Sequence, residues 1–326
     1  MSGGLSYRLR RFPLLALVAA AVLALSACRR TPVAIAVIPR ACGTALWEPE
    51  HSGAAAAARA RGMAIYWNAP TLPNDVQKQI TLLEKVVAGR YYGVVLAPDE
   101  TLALRTPIKR ILAKRIPIVV VGTELGIDPD RNLSYVLNDE VAGGQLAARR
   151  LGFILGGEGT VAVLGLNPRL SSMSLRDRSF EDTLAAEFPR IQLVARRPGQ
   201  ASAAQEQQTS EDLFASGIAL DALVALSSEA TRGAYYALSE SNRVGMVRLI
   251  GFDQDLLPPI RTGGLDSVVA QDTYEIGRLA INQIDAQLHG ESVQDKLIVP
   301  PKLLTRENID DPEMRKVLTA HWWGSQ

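Results

Sequence analysis

Short runs of apolar, mostly β-branched residues alternate with helical patterns along almost the whole chain, and this alternation most strongly constrains the fold. Residues 93–96 and 118–121 are almost entirely apolar, and a helical pattern at 101–115 lies between them. Strands that are apolar on both faces are typical of parallel sheets covered by helices on both sides. The sequence therefore predicts an α/β fold built from repeated βα units.

The number of these units predicts two sheets rather than one. Strands are predicted at residues 33–39, 64–67, 93–96, 118–121, 134–137, 161–164, 191–195, 222–226, 247–250 and 266–270. Helices are predicted at residues 50–61, 76–88, 101–115, 140–155, 175–187, 203–215, 229–241 and 274–288. The run Gly156-Gly157-Glu158-Gly159 lacks the setting of a phosphate-binding loop and is predicted to be a turn between the two halves.

The N-terminus has the pattern of an export signal. Three arginines precede an uncharged run at residues 14–25, which is too short to cross a bilayer as a helix. The run ends at Leu25-Ser26-Ala27-Cys28, which resembles the bacterial lipobox. We expect residues 1–27 to be a signal peptide, Cys28 to be lipidated and residues 28–32 to be a tether to a membrane. The alternative is a buried apolar helix with an accidental cysteine.

Composition narrows the function classes. After a 27-residue signal, 299 residues would remain, which favours two domains. The chain has 35 basic and 34 acidic residues, so nothing indicates a nucleic-acid partner. The three histidines are scattered, and His51 with Glu48 and Glu50 fits the opening of a helix better than a metal site. We expect no metal and no cofactor.

Several short motifs follow one another in a fixed order from residue 33 to about 305. They are Val37 to Trp47, the strand Tyr92 to Pro98, the "IPV" strand from Ile116, Asn138-Asp139-Glu140 before Gly143-Gly144, Arg176 to Phe180, Ser227-Ser228-Glu229, Gly251-Phe252-Asp253 and Val269-Ala270-Gln271. In this order and spacing they resemble the type I periplasmic binding proteins, and within them the ribose-binding and related sugar-binding group.

The resemblance implies two doubly wound parallel-sheet lobes joined by a three-segment hinge. The first lobe would comprise residues 33–138 and 272–298, and the second 139–271 and 299–326. The hinge would lie near Asn138, Gln271 and residues 299–301. In such sheets ligands bind beyond the carboxyl ends of the strands. The resemblance therefore implies a small polar ligand, with a sugar favoured, held between the lobes.

The resemblance also assigns roles to charged and amide side chains of the second lobe. Asp253 would accept hydrogen bonds from ligand hydroxyls, and its alternative role is a helix N-cap. Arg176 would donate through its planar guanidinium, the alternative being a surface ion pair with Asp177 or Glu181. Gln271 would both donate and accept, although a purely hinge role is the alternative.

The remaining contacts are aromatic or hydroxyl-bearing. Trp47 would stack on the apolar face of a sugar ring, and a tryptophan packed in the core is the alternative. Thr44, Thr123 and Ser227 would be small hydroxyl contacts.

Some positions depart from the pattern of ribose binders. Gly122-Thr123 stands where the family has Asp-Arg, and Ala97 and Ser227 stand where asparagine is frequent. A site built to hydrogen-bond particular hydroxyls tolerates such losses poorly. We therefore expect a ligand other than ribose, with Arg40, Glu48 and Glu124 as candidates for replacement contacts.

The predicted function is that of an exported, lipid-anchored binding protein that delivers its ligand to an ABC permease in the inner membrane. The alternative is a sensory module that presents the ligand to a chemoreceptor or histidine kinase. No Gly-x-Ser-x-Gly nucleophile motif or P-loop is present, so we expect no enzyme. A sugar-responsive repressor would need a DNA-binding module in the space that the signal sequence occupies.

Overall fold

The alternation of strands and helices predicted from the sequence is confirmed by the computed structural model, which describes residues 33–72, 74–200, 202–252, 254 and 256–318. Within these residues the strands are β1 Ala34–Ile38, β2 Ala64–Trp67, β3 Gly93–Leu96, β4 Ile118–Val121, β5 Leu133–Asn138, β6 Glu158–Leu166, β7 Arg190–Pro198, β8 Ala222–Ala225, β9 Arg248–Phe252, β10 Ser267–Ala270, β11 Lys296–Val299 and β12 Lys302–Thr305.

The helices cover the faces of the sheets. In the same residues they are α1 Trp47–Ala60, α2 Val76–Ala88, α3 Arg105–Ala113, α4 Glu140–Ile154, α5 Ser171–Glu187, α6 Ala203–Ala215, α7 Ser228–Glu240, α8 Leu257–Thr262, α9 Thr273–His289 and α10 Pro312–Leu318. None of the described helices is long and apolar enough to cross a membrane.

The strands form two six-stranded sheets, one in each lobe, as predicted. The order in the first sheet is β11-β5-β4-β3-β1-β2, and every neighbouring pair is parallel. The order in the second is β12-β10-β9-β8-β6-β7, and only the β10–β12 pair is antiparallel. Strands β3, β4 and β8 are buried along their whole length, which is why their sequences are continuously apolar.

The chain passes between the two sheets three times. It leaves the first sheet after β5, returns to it between β10 and α9, and leaves it again between β11 and β12. A helix begins directly after two of these passages, and an aspartate caps each helix. Asp139 accepts a hydrogen bond from the Ala142 N–H at 2.8 Å, and Asp272 accepts one from the Glu275 N–H at 3.0 Å. The lobe boundaries given above, at residues 138/139, 271/272 and 298/299, stay a prediction.

The structure corrects several local predictions. The turn at Gly156-Gly157 lies between α4 and β6, both in the second lobe, and Glu158 already begins β6, so this turn does not join the halves. Strands β11 and β12 were not predicted because each begins with a lysine and is partly exposed, so neither is a continuous apolar run, and the six-residue helix α8 contains two prolines.

Candidate functional site

A cavity of about 550 Å³ lies at the carboxyl ends of both sheets. In the first sheet the strand order reverses between β1 and β3, and in the second it reverses between β6 and β8. Loops that leave adjacent strands in opposite directions open a crevice at such a point, and ligands bind there. The two crevices face the same cavity, because residues that follow β1, β3, β6 and β8 all line it.

The first lobe contributes the start of helix α1 to this cavity. Trp47 is the first residue of the helix, is partly buried and lines the cavity together with Thr44. The Thr44 hydroxyl accepts a hydrogen bond from the Trp47 N–H at 3.2 Å, which supports the helix start. The structure therefore brings Thr44 and Trp47 to one wall, with an indole available for stacking on an apolar ring face.

An arginine held by a buried carboxylate lies on the same side. Arg40 Nε donates to Asp99 Oδ1 at 3.2 Å, and Arg40 Nη2 donates to the side-chain oxygen of Asn74 at 3.3 Å. The Asn74 N–H also donates to Asp99 Oδ1 at 3.3 Å. Burial raises the pKa of Asp99, and the Arg40 guanidinium opposes that rise. Arg40 is thus oriented toward the cavity by two side chains.

The second lobe repeats this arrangement with Arg176 on helix α5. Arg176 Nε donates to Glu140 Oε2 at 2.7 Å, Nη1 donates to the Leu226 carbonyl, and the guanidinium lies 4.2 Å from the centre of the Phe252 ring. Burial raises the pKa of Glu140, and Arg176 opposes that rise. Arg176 is only 3% exposed, so it is no surface ion pair.

Asp177 and Glu181, the residues considered as surface ion-pair partners of Arg176, pair with Arg196 instead. Asp177 lies 3.7 Å from the Arg196 guanidinium, and Glu181 is in contact with the same group. Arg176 is therefore directed inward by Glu140, a residue that opens helix α4, and both line the cavity.

Two predicted residues combine a structural contact with a place in the cavity wall. Ser227 caps helix α7 by accepting from the Ala230 N–H at 3.2 Å, and a capping hydroxyl can still donate its proton. Gln271 stands where the chain passes between the lobes, and its side-chain oxygen accepts a hydrogen bond from Asn138, at another passage. For Gln271 the binding and hinge roles are thus compatible.

Thr123 also lines the cavity, but its hydroxyl is engaged by the opposite lobe. Its oxygen lies 3.0 Å from the Ser171 hydroxyl and accepts from the Ser172 N–H at 3.3 Å. Thr123 is 4% exposed. The lobes therefore touch beside the cavity at this residue.

Of the seven predicted ligand contacts, six line one cavity, and the seventh, Asp253, lies outside the described residues, as does Cys28. Glu48 and Glu124, considered as replacement contacts, do not line it: Glu48 accepts from the Gly43 N–H at 2.8 Å, and Glu124 pairs with Lys296 at 2.8 Å. Arg40, the third candidate, does line it.

Sequence reasoning missed several residues of the cavity wall. Asp99 and Glu100 follow β3 by a few positions, and Glu229 and Arg232 lie on α7. The sequence could have indicated Asp99 and Glu100, because they are two acidic residues directly after an apolar strand and its proline. Among the described residues, four arginines and four carboxylic acids line the cavity, so their formal charges balance: Arg40, Arg169, Arg176, Arg232, Asp99, Glu100, Glu140 and Glu229.

Comparisons with known proteins agree with this geometry. The sequence matches the family described as "Periplasmic binding protein domain" over residues 35–292. The ribose import binding protein of Bacillus subtilis is 27% identical over 236 residues, which are 72% of this chain and 75% of that protein.

Solved structures resemble the chain over most of its length. A carbohydrate transporter solute binding protein from Agrobacterium radiobacter, in complex with D-arabinose, has a TM-score of 0.82 and 25% identity, and the match covers 89% of this chain and 100% of that one. An ABC transporter solute binding protein from Agrobacterium vitis with bound D-fucose has a TM-score of 0.81 and 26% identity, over 88% and 100% of the two chains.

Proposed function

Because the chain belongs to the periplasmic binding protein family, we propose that it captures a small, hydroxyl-rich ligand, a sugar or sugar-like molecule, for an ABC importer. The observation that carries this proposal is the cavity between the lobes, in which Arg40 and Arg176 face one space from opposite sides. An exported, periplasmic location accords with the family.

The chemistry of the cavity wall favours a neutral polyol over an ion. Each of the two arginines is matched by a buried acid, so their charges are already compensated. A guanidinium fork held in this way donates to adjacent oxygens with fixed geometry. Trp47 supplies an apolar face, and the hydroxyl and amide groups of Ser227 and Gln271 both donate and accept.

We propose that binding proceeds by hinge closure. The chain passes between the sheets at three points, and rotation about such passages brings two lobes together around a ligand. Closure buries the ligand and creates a surface formed by both lobes, which a permease in the inner membrane would recognise. The relatives named above are described as binding proteins of import or transport systems, and we propose no catalysis for this chain.

The test is a calorimetric titration of the purified chain with D-arabinose, D-fucose, D-ribose and myo-inositol. We expect saturable binding of at least one of them, with ribose not the tightest. The Arg176→Lys variant should bind at least about tenfold more weakly, because lysine keeps the charge but lacks the planar fork. Asp253→Ala should lose binding while staying folded.

Arg178→Lys is the matched control, because Arg178 is an exposed residue of the same helix and lies away from the cavity. It should bind like the unaltered protein. Normal binding by Arg176→Lys would refute the assignment of the site, and absence of binding to every polyol tested would refute the proposed ligand class.

We also propose that Cys28 carries lipid and that residues 28–32 tether the binding lobes to a membrane. The support is in the sequence: a basic start, a short apolar core and Leu-Ser-Ala before the cysteine. An acyl anchor would hold the cavity near a permease without spanning the bilayer.

A further inference from the structure

Helix α5 carries Arg176, yet its N-terminus lacks a cap from its own segment. Leu170 stands at the N-cap position and offers no side-chain hydrogen bond. The first N–H groups of any helix have no partner within the helix, so a side-chain oxygen normally accepts from the second or third of them.

The missing cap comes from the other lobe. The Thr123 oxygen accepts from the N–H of Ser172, the second residue of α5, at 3.3 Å and lies 3.0 Å from the Ser171 hydroxyl. Thr123 follows β4 of the first sheet, whereas α5 follows β6 of the second. The contact therefore exists only when the lobes are together.

The loop before Thr123 is shaped for this contact. The Thr123 N–H donates to the Val121 carbonyl at 2.9 Å, which closes a γ-turn around Gly122. Gly122 has φ of +77°, a conformation that other residues adopt only with strain. The turn thus directs Thr123 toward α5 immediately after the strand ends.

A second contact joins another loop of the first lobe to the residues just before α5. The Thr101 hydroxyl, in the first lobe, donates to the Arg169 carbonyl at 3.3 Å, just before α5 begins. Arg176 lies about one helical turn beyond Ser172, so whatever fixes the start of α5 also fixes the backbone that carries the Arg176 guanidinium.

We propose that Thr123 is a positioning residue: on closure it caps α5 from the opposite lobe and thereby holds Arg176 in place and favours the closed state. This inference rests on the proposed function in that closure accompanies ligand capture. It assigns the Thr123 hydroxyl to the helix rather than to the ligand.

The test compares Thr123→Val, which has nearly the same shape but no hydroxyl, with Thr123→Ser, which keeps the hydroxyl. Dissociation constants and dissociation rates are measured for every sugar that the unaltered protein binds. Thr123→Val should weaken binding about three- to thirtyfold, the range expected for a lost cap. The loss should be equal for all ligands and appear as faster dissociation, and Thr123→Ser should restore binding.

Hydrogen–deuterium exchange of residues 167–176 supplies a second readout, measured with a saturating sugar so that the lobes are together. Exchange there should be faster in Thr123→Val than in the unaltered protein or in Thr123→Ser. Unchanged affinity of Thr123→Val would overturn the inference. A loss of affinity that differs strongly between ligands would also overturn it, because it would mean that Thr123 contacts the ligand directly. Failure of the unaltered protein to bind any sugar would refute the proposed function and with it the closure on which the cap depends, whereas sugar binding with unchanged exchange in Thr123→Val would overturn the cap alone.

Discussion

At the residue scale, the charged groups that matter occur in pairs, each with a buried acid. Arg40 with Asp99 and Arg176 with Glu140 place one oriented guanidinium in each lobe. Removing one member of such a pair leaves an uncompensated buried charge, which is costly. The pairs therefore serve the geometry of the cavity wall, and their acids are as important as the arginines that face the ligand.

Glu50 is a buried acid without such a partner. It lies on α1, is 1% exposed, and its two carboxyl oxygens have no hydrogen-bond partner among the described residues. Desolvation by burial raises the pKa of Glu50 from 4.5 to about 8. The folded protein therefore keeps this proton up to about pH 8, whereas the unfolded chain loses it near pH 4.5.

This difference predicts that Glu50 makes the folded state less stable as the pH rises from about 4.5 to 8. Each unit of pKa shift corresponds to about 1.4 kcal/mol. In Glu50→Gln this dependence should disappear, so the variant gains in unfolding free energy relative to the unaltered protein as the pH rises. Urea denaturation at pH 5.5, 7 and 8.5 measures the gain.

Glu84→Gln is the control, because the Glu84 side chain is 57% exposed on the surface of α2. It should follow the unaltered protein at all three pH values. A constant difference between Glu50→Gln and the unaltered protein from pH 5.5 to 8.5 would contradict the buried, protonated state.

At the element scale, close helix packing holds the site. Helices α4 and α5 meet at Gly144, where a Cβ atom would lie 2.0 Å from the Ser179 hydroxyl oxygen and 2.3 Å from the Arg176 carbonyl oxygen. Only a residue without a side chain allows this approach. Glu140 and Arg176 come from these two helices, so their ion pair depends on that packing.

Gly144→Ala should therefore lower the unfolding free energy by about 1–3 kcal/mol, because the methyl group meets backbone that must move. Binding should weaken as well, since the displaced carbonyl belongs to Arg176. Gly143→Ala is the matched control: its Cβ would meet the Phe252 ring at 3.5 Å, an ordinary contact. Thermal unfolding of both variants tests this prediction. Equal melting temperatures of Gly144→Ala and Gly143→Ala would contradict the packing argument.

At the scale of the whole molecule, the chain builds each sheet from two or more separate segments. Strand β11 joins β5 in the first sheet after the second lobe is nearly complete, and β12 then adds an antiparallel edge to the second sheet. The passages between lobes therefore lie close together, at Asn138, Gln271 and the residues before β12. Opening and closing can then occur without separating either sheet.

The proposed anchor is tested at the same scale. In bacteria grown with a labelled fatty acid, the unaltered chain should incorporate label and fractionate with membranes. Cys28→Ala should lose both, because the acylated thiol is gone. Cys42→Ala is the control and should keep both, since Cys42 lies in the described part of the chain, away from the N-terminal signal. Membrane-bound, labelled Cys28→Ala would refute the lipid anchor.

Particular elements show what was predictable. Strands β2, β3 and β4 were predicted to the residue, because each is a run of four mostly apolar residues between turn signals, although only β3 and β4 are buried throughout. The edge strand β11, with an exposed lysine at its start, carries no such pattern, and its place depends on pairing with β5. Five of the six predicted cavity residues follow strand ends or begin helices, positions that the sequence marks, and the sixth, Arg176, lies in the second turn of α5. The partners Asp99 and Glu140 needed the assembled fold.

The sequence by itself determined the α/β class, the two sheets and the position of the polar residues at the carboxyl ends of the strands. These follow from local periodicity and from the geometry of parallel strands. Tertiary structure decided what each polar group does. Glu140 rather than Asp177 orients Arg176, and Thr123 caps a helix in the other lobe. The reason is that hydrogen bonding and desolvation depend on neighbours far apart in sequence, which only the packed lobes bring within reach.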